Sequence, residues 1–158
     1  MIPPFQEYMG DNIDGVKAIP LRNYVDDRGH LCVLAECGIH LDGLDNEIWR
    51  VYMTTAGKGV IKAWHEHRKQ SDRMAVVSGK VKIGLRDMRD DSPTRGNMIF
   101  AIVGPLNPHL IVIPPNVQHG FMPLEDNSIV INMPDMPYDS SDEIRHEPNP
   151  QHWIVRNG

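Results

Sequence analysis

Cysteine is scarce in this chain: Cys32 and Cys37 are the two among 158 residues. Two thiols do not make a disulfide framework, so a reduced, cytoplasmic setting is expected, with both as small core residues. No apolar run is long enough to span a bilayer. Residues Met1 to Glu7 also lack the basic-then-apolar order of a secretion signal. Positive charge is not in excess either. A net charge of −5 argues against a nucleic-acid groove. A small anionic ligand remains compatible, because Arg28, Lys62, Arg68, Lys69 and Arg73 could concentrate locally. Extended amphipathic helical patterns are missing as well.

What is present is β-like punctuation. Thirteen glycines and thirteen prolines cut the chain into short segments. Glu47 to Thr54 alternates around Ile48, Val51 and Met53. Apolar runs at Met74 to Val77 and Val81 to Leu85 flank Ser78-Gly79-Lys80, which predicts a hairpin. Further strands are predicted over 97–103, 110–113 and 128–133. Many short strands with Gly/Pro turns argue for a sandwich or barrel. Residues 134–158 show little periodicity and predict surface loops with one short helix near Ser140 to Arg145. Length and the lack of any linker or repeat predict one domain over 1–158.

Two segments carry the chemistry. In a strand, positions i and i+2 share a face, so His65 and His67 point the same way. Asp72 follows far enough on to sit in the next strand and face them. The pattern Gly59-x5-His65-x-His67-x4-Asp72-x6-Gly79 resembles the first cupin motif, with Asp where that motif usually has Glu. Pro114-x-Asn116-x2-His119 resembles the second, with Asn in place of Gly. The resemblance implies an all-β cupin barrel, a double-stranded β-helix or jelly roll, with a short helical or loop tail. Three imidazoles and a carboxylate suit one divalent metal ion, held by His65, His67, Asp72 and His119.

A narrower resemblance surrounds these motifs. The segment Asp87-Met88-Arg89-Asp90-Asp91-Ser92-Pro93-Thr94-Arg95-Gly96 resembles a stretch of the dTDP-4-dehydrorhamnose 3,5-epimerase family. So do Asp26-Asp27-Arg28-Gly29, Gly59-Val60-Ile61-Lys62-Ala63-Trp64-His65 and Ile113-Pro114 through His119-Gly120-Phe121. Members of that family are metal-independent cupins, usually homodimers, that act on nucleotide-linked 4-keto-6-deoxy sugars. The likeness implies an isomerase without a cofactor, with His65 and His119 as candidate catalytic residues. His65 falls on the family's base, which takes a proton made acidic by the keto group. Arg28 and Lys62 fall on basic residues that hold the diphosphate, although Lys loses the bidentate geometry of Arg. Gln70, Asn132 and Tyr138 complete the expected substrate contacts.

Departures from the family leave alternatives open. Its proton-donating Tyr falls on Asn132, and an amide cannot donate a proton in that way. Its pocket Lys falls on Asp72, which exchanges a cation for an anion. An aromatic that stacks on the base falls on Leu31. No counterpart is found for the Asp that pairs with the catalytic His, and one reading of Asp72 is that it orients His65 in that carboxylate's place. His67 and Asp72 are the two residues that would complete a metal cage. A 3,4-ketoisomerase with His65 and His67 as paired proton carriers, or a non-catalytic sugar-nucleotide-binding protein, are the other readings.

The remaining features have plain expectations. His30, His40, His109, His146 and His152 read as surface or loop residues. Trp64 alternates with His65 and should point away from the pocket, into core or a partner. Arg68-Lys69 reads as a loop tip, and Ser92-Pro93-Thr94 as a loop that fixes a strand connection. Residues 139–143 read as a capped helix start. The nine methionines read as gap-filling core, with Met133 and Met136 as possible pocket residues.

Overall fold

The computed structural model describes residues 12–35 and 48–155. Cys37, His40 and Glu47 lie outside the described residues. Twelve short strands form there, and helix is limited to one 3-10 turn at Pro150–Trp153. In chain order the strands are β1 (Lys17–Pro20), β2 (Asn23–Asp26), β3 (Gly29–Cys32), β4 (Tyr52–Thr54), β5 (Lys62–His67) and β6 (Asp72–Ser78). They continue as β7 (Val81–Asp87), β8 (Met98–Val103), β9 (His109–Ile113), β10 (Val117–Pro123), β11 (Ile129–Asn132) and β12 (Glu143–Arg145). The first sheet runs β1-β9-β6-β11-β4 and the second β12-β5-β10-β7-β8, while β2 and β3 form a separate hairpin. All pairings are antiparallel. The all-β cupin barrel expected from the motifs is the observed architecture.

Period-2 alternation explains how the two sheets close on one another. Val81, Ile83 and Leu85 of β7 point inward with Met74 and Val76 of β6, Ile111 and Ile113 of β9, and Phe121 of β10. The same inward stripe continues along β6 to Asp72 and along β10 to His119. The barrel interior is therefore apolar over most of its length and polar at one mouth. Outside the second sheet, Trp64, Phe100, Met122 and Trp153 form a second buried cluster. Trp64 thus faces away from the mouth, as its alternation with His65 requires. Outside the first sheet, Ala75, Leu110, Val112 and Met133 form a third.

Three local expectations are corrected. Ser78-Gly79-Lys80 does not close a hairpin, because β6 and β7 belong to different sheets. The turn instead carries the chain across the barrel. Gly79 has φ +71°, and a Cβ there would meet Ser128 Oγ at 2.2 Å, so only glycine fits. The helix expected near Ser140 to Arg145 is absent. Asp142 accepts from the backbone N–H groups of Lys69 and Gln70 at 3.0 and 3.2 Å, and Glu143 to Arg145 pairs with β5. Those carboxylate contacts use the residue that would have capped a helix. The strand expected from Glu47 contracts to β4, with Val51 and Met53 exposed.

Other expectations are partly revised. His109 is a buried strand residue rather than a surface one. Met133 is packed outside the first sheet, Met136 does not line the mouth, and Met53 and Met88 are exposed. Cys32 is half-buried with a free thiol. The Ser-Pro-Thr loop does fix a strand connection. Ser92 Oγ and Thr94 Oγ1 donate to the fully buried Asp87 carboxylate at 2.5 and 2.6 Å. Arg89 adds a two-pronged ion pair to Asp87. This holds the Asp87 carboxyl far below the usual carboxylate range, through Arg89 first. Among the described residues, no helix is long and apolar enough to cross a membrane.

Candidate active site

The polar mouth of the barrel opens as a cleft of about 200 Å³, walled by residues from both sheets. The second sheet contributes Lys62, His65 and His67 from β5, His119 from β10 and Glu143 from β12. The first contributes Tyr52 and Thr54 from β4, Asp72 from β6 and Asn132 from β11. Gln70, Arg50 and Tyr138 reach the cleft from flanking loops.

His65 lies opposite His119 in the β5–β10 pairing and opposite Arg145 in the β5–β12 pairing. Its Nδ1 is 2.7 Å from Glu143 Oε1. A carboxylate only accepts, so in neutral His65 the proton sits on Nδ1 and Nε2 carries the lone pair. Burial lowers the His65 pKa and the Glu143 contact only partly offsets it. His65 is therefore unprotonated at neutral pH. The alternative in which Asp72 orients His65 is not what the structure shows, because Asp72 faces His119, His67, Gln70 and Asn132.

Asp72 is almost fully buried. Gln70 Nε2 and Asn132 Nδ2 both donate to its Oδ1 at 2.8 Å. Its Oδ2 faces His119 Nε2 at 3.0 Å and His67 Nε2 at 3.6 Å. Burial alone would raise this carboxyl, but the bond from His119 and the charges of His119 and His67 hold it at about 2. His119 Nδ1 lies 3.1 Å from the Val117 carbonyl, which can only accept. Both ring nitrogens therefore donate, and His119 is an imidazolium. Burial opposes that charge, and the Asp72 carboxylate overrides it to raise the pKa.

The expected four-ligand cage resolves into three groups. Ligand atoms of His67, Asp72 and His119 lie within 4.8 Å of one another, and His65 is not in that set. The buried His67 Nδ1 has no hydrogen-bond partner, with Asp142 Oδ2 at 3.6 Å. With the His119 Nε2 proton displaced, two imidazoles and a carboxylate whose Oδ1 is already anchored are a chemically suitable donor set for a divalent cation.

The other expected contacts divide. Lys62 lines the cleft, with Nζ donating to Thr54 Oγ1 at 2.8 Å. Gln70, Asn132 and Tyr138 line it too. Arg28 does not: it lies at the tip of the β2–β3 hairpin, exposed and paired with Asp26. Leu31 is exposed on the same hairpin. Arg68 and Lys69 are an exposed loop tip, and Arg73 is buried, with its guanidinium directed at the Met133 carbonyl. Of the five cations expected to concentrate, only Lys62 lines the cleft, where Arg50, not among them, joins it. Asn116 has φ +63°, which explains how Asn occupies a position where the motif has Gly.

Three cleft residues escape sequence reasoning: Arg50, Tyr52 and Glu143. Arg50 and Tyr52 did leave a signal, since i and i+2 share a face with Thr54 while Trp49, Val51 and Met53 face solvent. Arg50 stacks over both Tyr52 and Tyr138, at 5.0 and 5.3 Å from the ring centroids. Glu143 left none, being one acid in a polar tail.

The family model described as dTDP-4-dehydrorhamnose 3,5-epimerase matches residues 11–154. The chain belongs to this family. A probable low-salt glycan biosynthesis epimerase of Haloferax volcanii is 34% identical over 133 residues, covering 83% of this chain and 84% of that protein. The dTDP-4-dehydrorhamnose 3,5-epimerase of Sulfolobus tokodaii superposes with a TM-score of 0.77 at 28% identity, over 90% of this chain and 82% of that one. A Legionella pneumophila dTDP-6-deoxy-D-glucose-3,5-epimerase, solved with dTDP-4-keto-L-rhamnose, shares the fold with a TM-score of 0.81 at 24% identity. It covers 95% of this chain and 82% of that one. The family's members are sugar epimerases, and nucleotide-sugar epimerisation is the activity class that membership supports.

Proposed function

We propose that this protein epimerises a nucleotide-linked 4-keto-6-deoxy sugar, with His65 as the base. The observation that supports this most is the His65–Glu143 pair at the barrel mouth, 2.7 Å apart. The 4-keto group acidifies the hydrogens on C3 and C5. His65 Nε2 removes one, and the negative charge moves to the carbonyl oxygen as an enolate. Glu143 stabilises the imidazolium that forms and fixes its tautomer, as carboxylates do beside catalytic imidazoles. Arg50 and the His119 imidazolium supply positive charge to the cleft where the enolate develops. Lys62, held by Thr54, meets the diphosphate. A ligand such as the dTDP-4-keto-L-rhamnose bound by the Legionella enzyme has these chemical features.

Incubation with dTDP-4-keto-6-deoxyglucose in deuterated water tests this reading. Deuterium should enter C3 or C5 in the wild-type protein and not in His65→Ala. No deuterium with this or other nucleotide 4-keto-6-deoxy sugars would rule the reading out.

A second copy of the chain belongs to this reading. Val25, Leu31, Trp49, Val51 and Met53 are exposed on the hairpin and around the edge strand β4, an apolar surface that a homodimer would cover. Arg28 is remote from its own cleft and contributes to diphosphate binding from the partner's hairpin. Mixing Arg28→Ala with His65→Ala dimers should then restore activity that neither variant has alone, through the one intact composite site. Monomeric protein in sedimentation equilibrium would exclude this arrangement.

One observation favours a second reading, a metal-binding cupin: the convergence of His67, Asp72 and His119. Elemental analysis of untagged protein would then find near-stoichiometric metal, lost in Asp72→Ala. Full activity in chelator, with no metal found, removes it.

A further inference from the structure

Epimerisation needs a second proton carrier, because His65 serves one face of the sugar and the inverted carbon must be protonated on the other. Asn132 occupies the position where the family resemblance leads one to expect a tyrosine. We infer that Tyr52, on the neighbouring strand, supplies the proton that inverts the carbon; this deepens the proposed epimerase reading and rests on it.

The placement follows from strand pairing. Tyr52 lies opposite Asn132 in the β4–β11 register. It belongs to the first sheet and His65 to the second, so the two line the cleft from different walls. A planar enolate between them presents one face to each.

Hydrogen-bond accounting leaves the Tyr52 proton available. Asn132 Oδ1 accepts from the backbone N–H groups of Arg73 and Met133 at 3.2 and 3.0 Å. That fixes the amide orientation and turns Nδ2 toward the cleft. One Nδ2 hydrogen goes to Asp72 Oδ1 and the other to Tyr52 Oη, each at 2.8 Å. The Tyr52 oxygen is therefore an acceptor in this bond, and its own hydrogen is free to point at substrate. Asn132 cannot donate a proton, but it holds the hydroxyl that can. Burial, with the Asp72 and Glu143 charges, raises the Tyr52 pKa and keeps the hydroxyl protonated until it is needed. The Asn132 amide and the Arg50 guanidinium over the ring partly offset this for the phenolate left behind.

The step balances. The C–H pair of electrons becomes the enolate π bond as His65 Nε2 takes the proton. The enolate then takes the Tyr52 hydroxyl proton on its opposite face, which re-forms the C=O and inverts the carbon. The products are a Tyr52 phenolate and a His65 imidazolium. Water returns a proton to the first and removes one from the second.

The test separates exchange from inversion, using dTDP-4-keto-6-deoxyglucose in deuterated water followed by NMR. Wild-type protein should both exchange and invert, and His65→Ala should do neither. Tyr52→Phe should keep exchange with retention, because His65 can return deuterium to the face it served. Its inversion should fall by about 10²-fold or more, the usual contribution of a positioned proton donor. Inversion by Tyr52→Phe at the wild-type rate overturns the inference, as does a loss confined to Tyr138→Phe. Joint loss of exchange and inversion in a Tyr52→Phe protein that still binds dTDP also overturns it. Should that variant not fold, Tyr52→His keeps a proton carrier and should invert with a new basic limb near neutral pH; an unchanged profile overturns the inference. Wild-type exchange with a failed Tyr52 result leaves the epimerase reading intact, whereas no wild-type exchange ends both.

Discussion

His65 Nδ1 and Glu143 Oε1 lie 2.7 Å apart although 78 positions separate them in the chain. Strand β12 makes the contact by pairing with β5, Arg145 opposite His65 and Glu143 opposite His67. His65 therefore does have a carboxylate partner, on an element that the sequence pattern assigned to a helix.

Glu143→Gln tests that pair. An amide can donate as well as accept, so the His65 tautomer is no longer enforced and the imidazolium is no longer stabilised. The rate of substrate exchange should fall by about 10²- to 10⁴-fold. The pH profile adds a signature. Burial already lowers the His65 pKa from its ordinary 6.5, and the Glu143 bond raises it again in part. Wild-type activity should therefore be lost on the acid side with an apparent value below 6.5, and the variant's limb should move lower still. A limb that moves upward would contradict the assigned pairing.

The Asp72–His119 pair should show in stability as well as in rate. Asp72 sits at about 2 in the folded protein against an ordinary 3.8. Its contribution is thus present above about pH 4 and lost as the pH falls toward 2. His119 is raised above its ordinary 6.5. Its contribution is complete below that value and lost as the pH rises through the folded-state pKa. The melting-temperature difference between wild type and Asp72→Asn should be largest between about pH 4 and 6.5 and shrink on both sides. A difference that is flat across pH 3 to 9 would mean that the pair is not charged as described.

Trp153 fastens the tail to the outside of the second sheet. Its ring lies 5.2 Å from Trp64 and 5.0 Å from Phe100 between centroids, and a Cβ on Gly84 would meet it at 2.7 Å. Trp153→Ala should cost about 3–5 kcal/mol, a fall in Tm of about 10 °C for a chain of this size. Gly84→Ala should destabilise as well, because the indole and Phe100 leave no room for a methyl group. Thermal unfolding of both variants checks this, and a Tm unchanged in either would show that the cluster is not tightly packed.

Much was legible without coordinates because strands write their faces into sequence with a period of two. His65 and His67 toward the cleft, Trp64 away from it, and Ser92 with Thr94 as a structural brace all follow from local spacing and motif. The paired segments around His65 and His119 also specify the barrel, since two strands carrying those residues must meet for either motif to make sense. What spacing cannot contain is which strands pair. The runs on either side of Gly79 look the same whether they form a hairpin or part into two sheets, and the barrel parts them. That choice sets Glu143 on His65, leaves Asp72 to His119 and His67, and puts the Tyr52 hydroxyl on the Asn132 amide. The sequence alone determined the fold and the direction in which His65 points; long-range antiparallel pairing, which depends on how both sheets bury their inner faces together, decided each partner of His65.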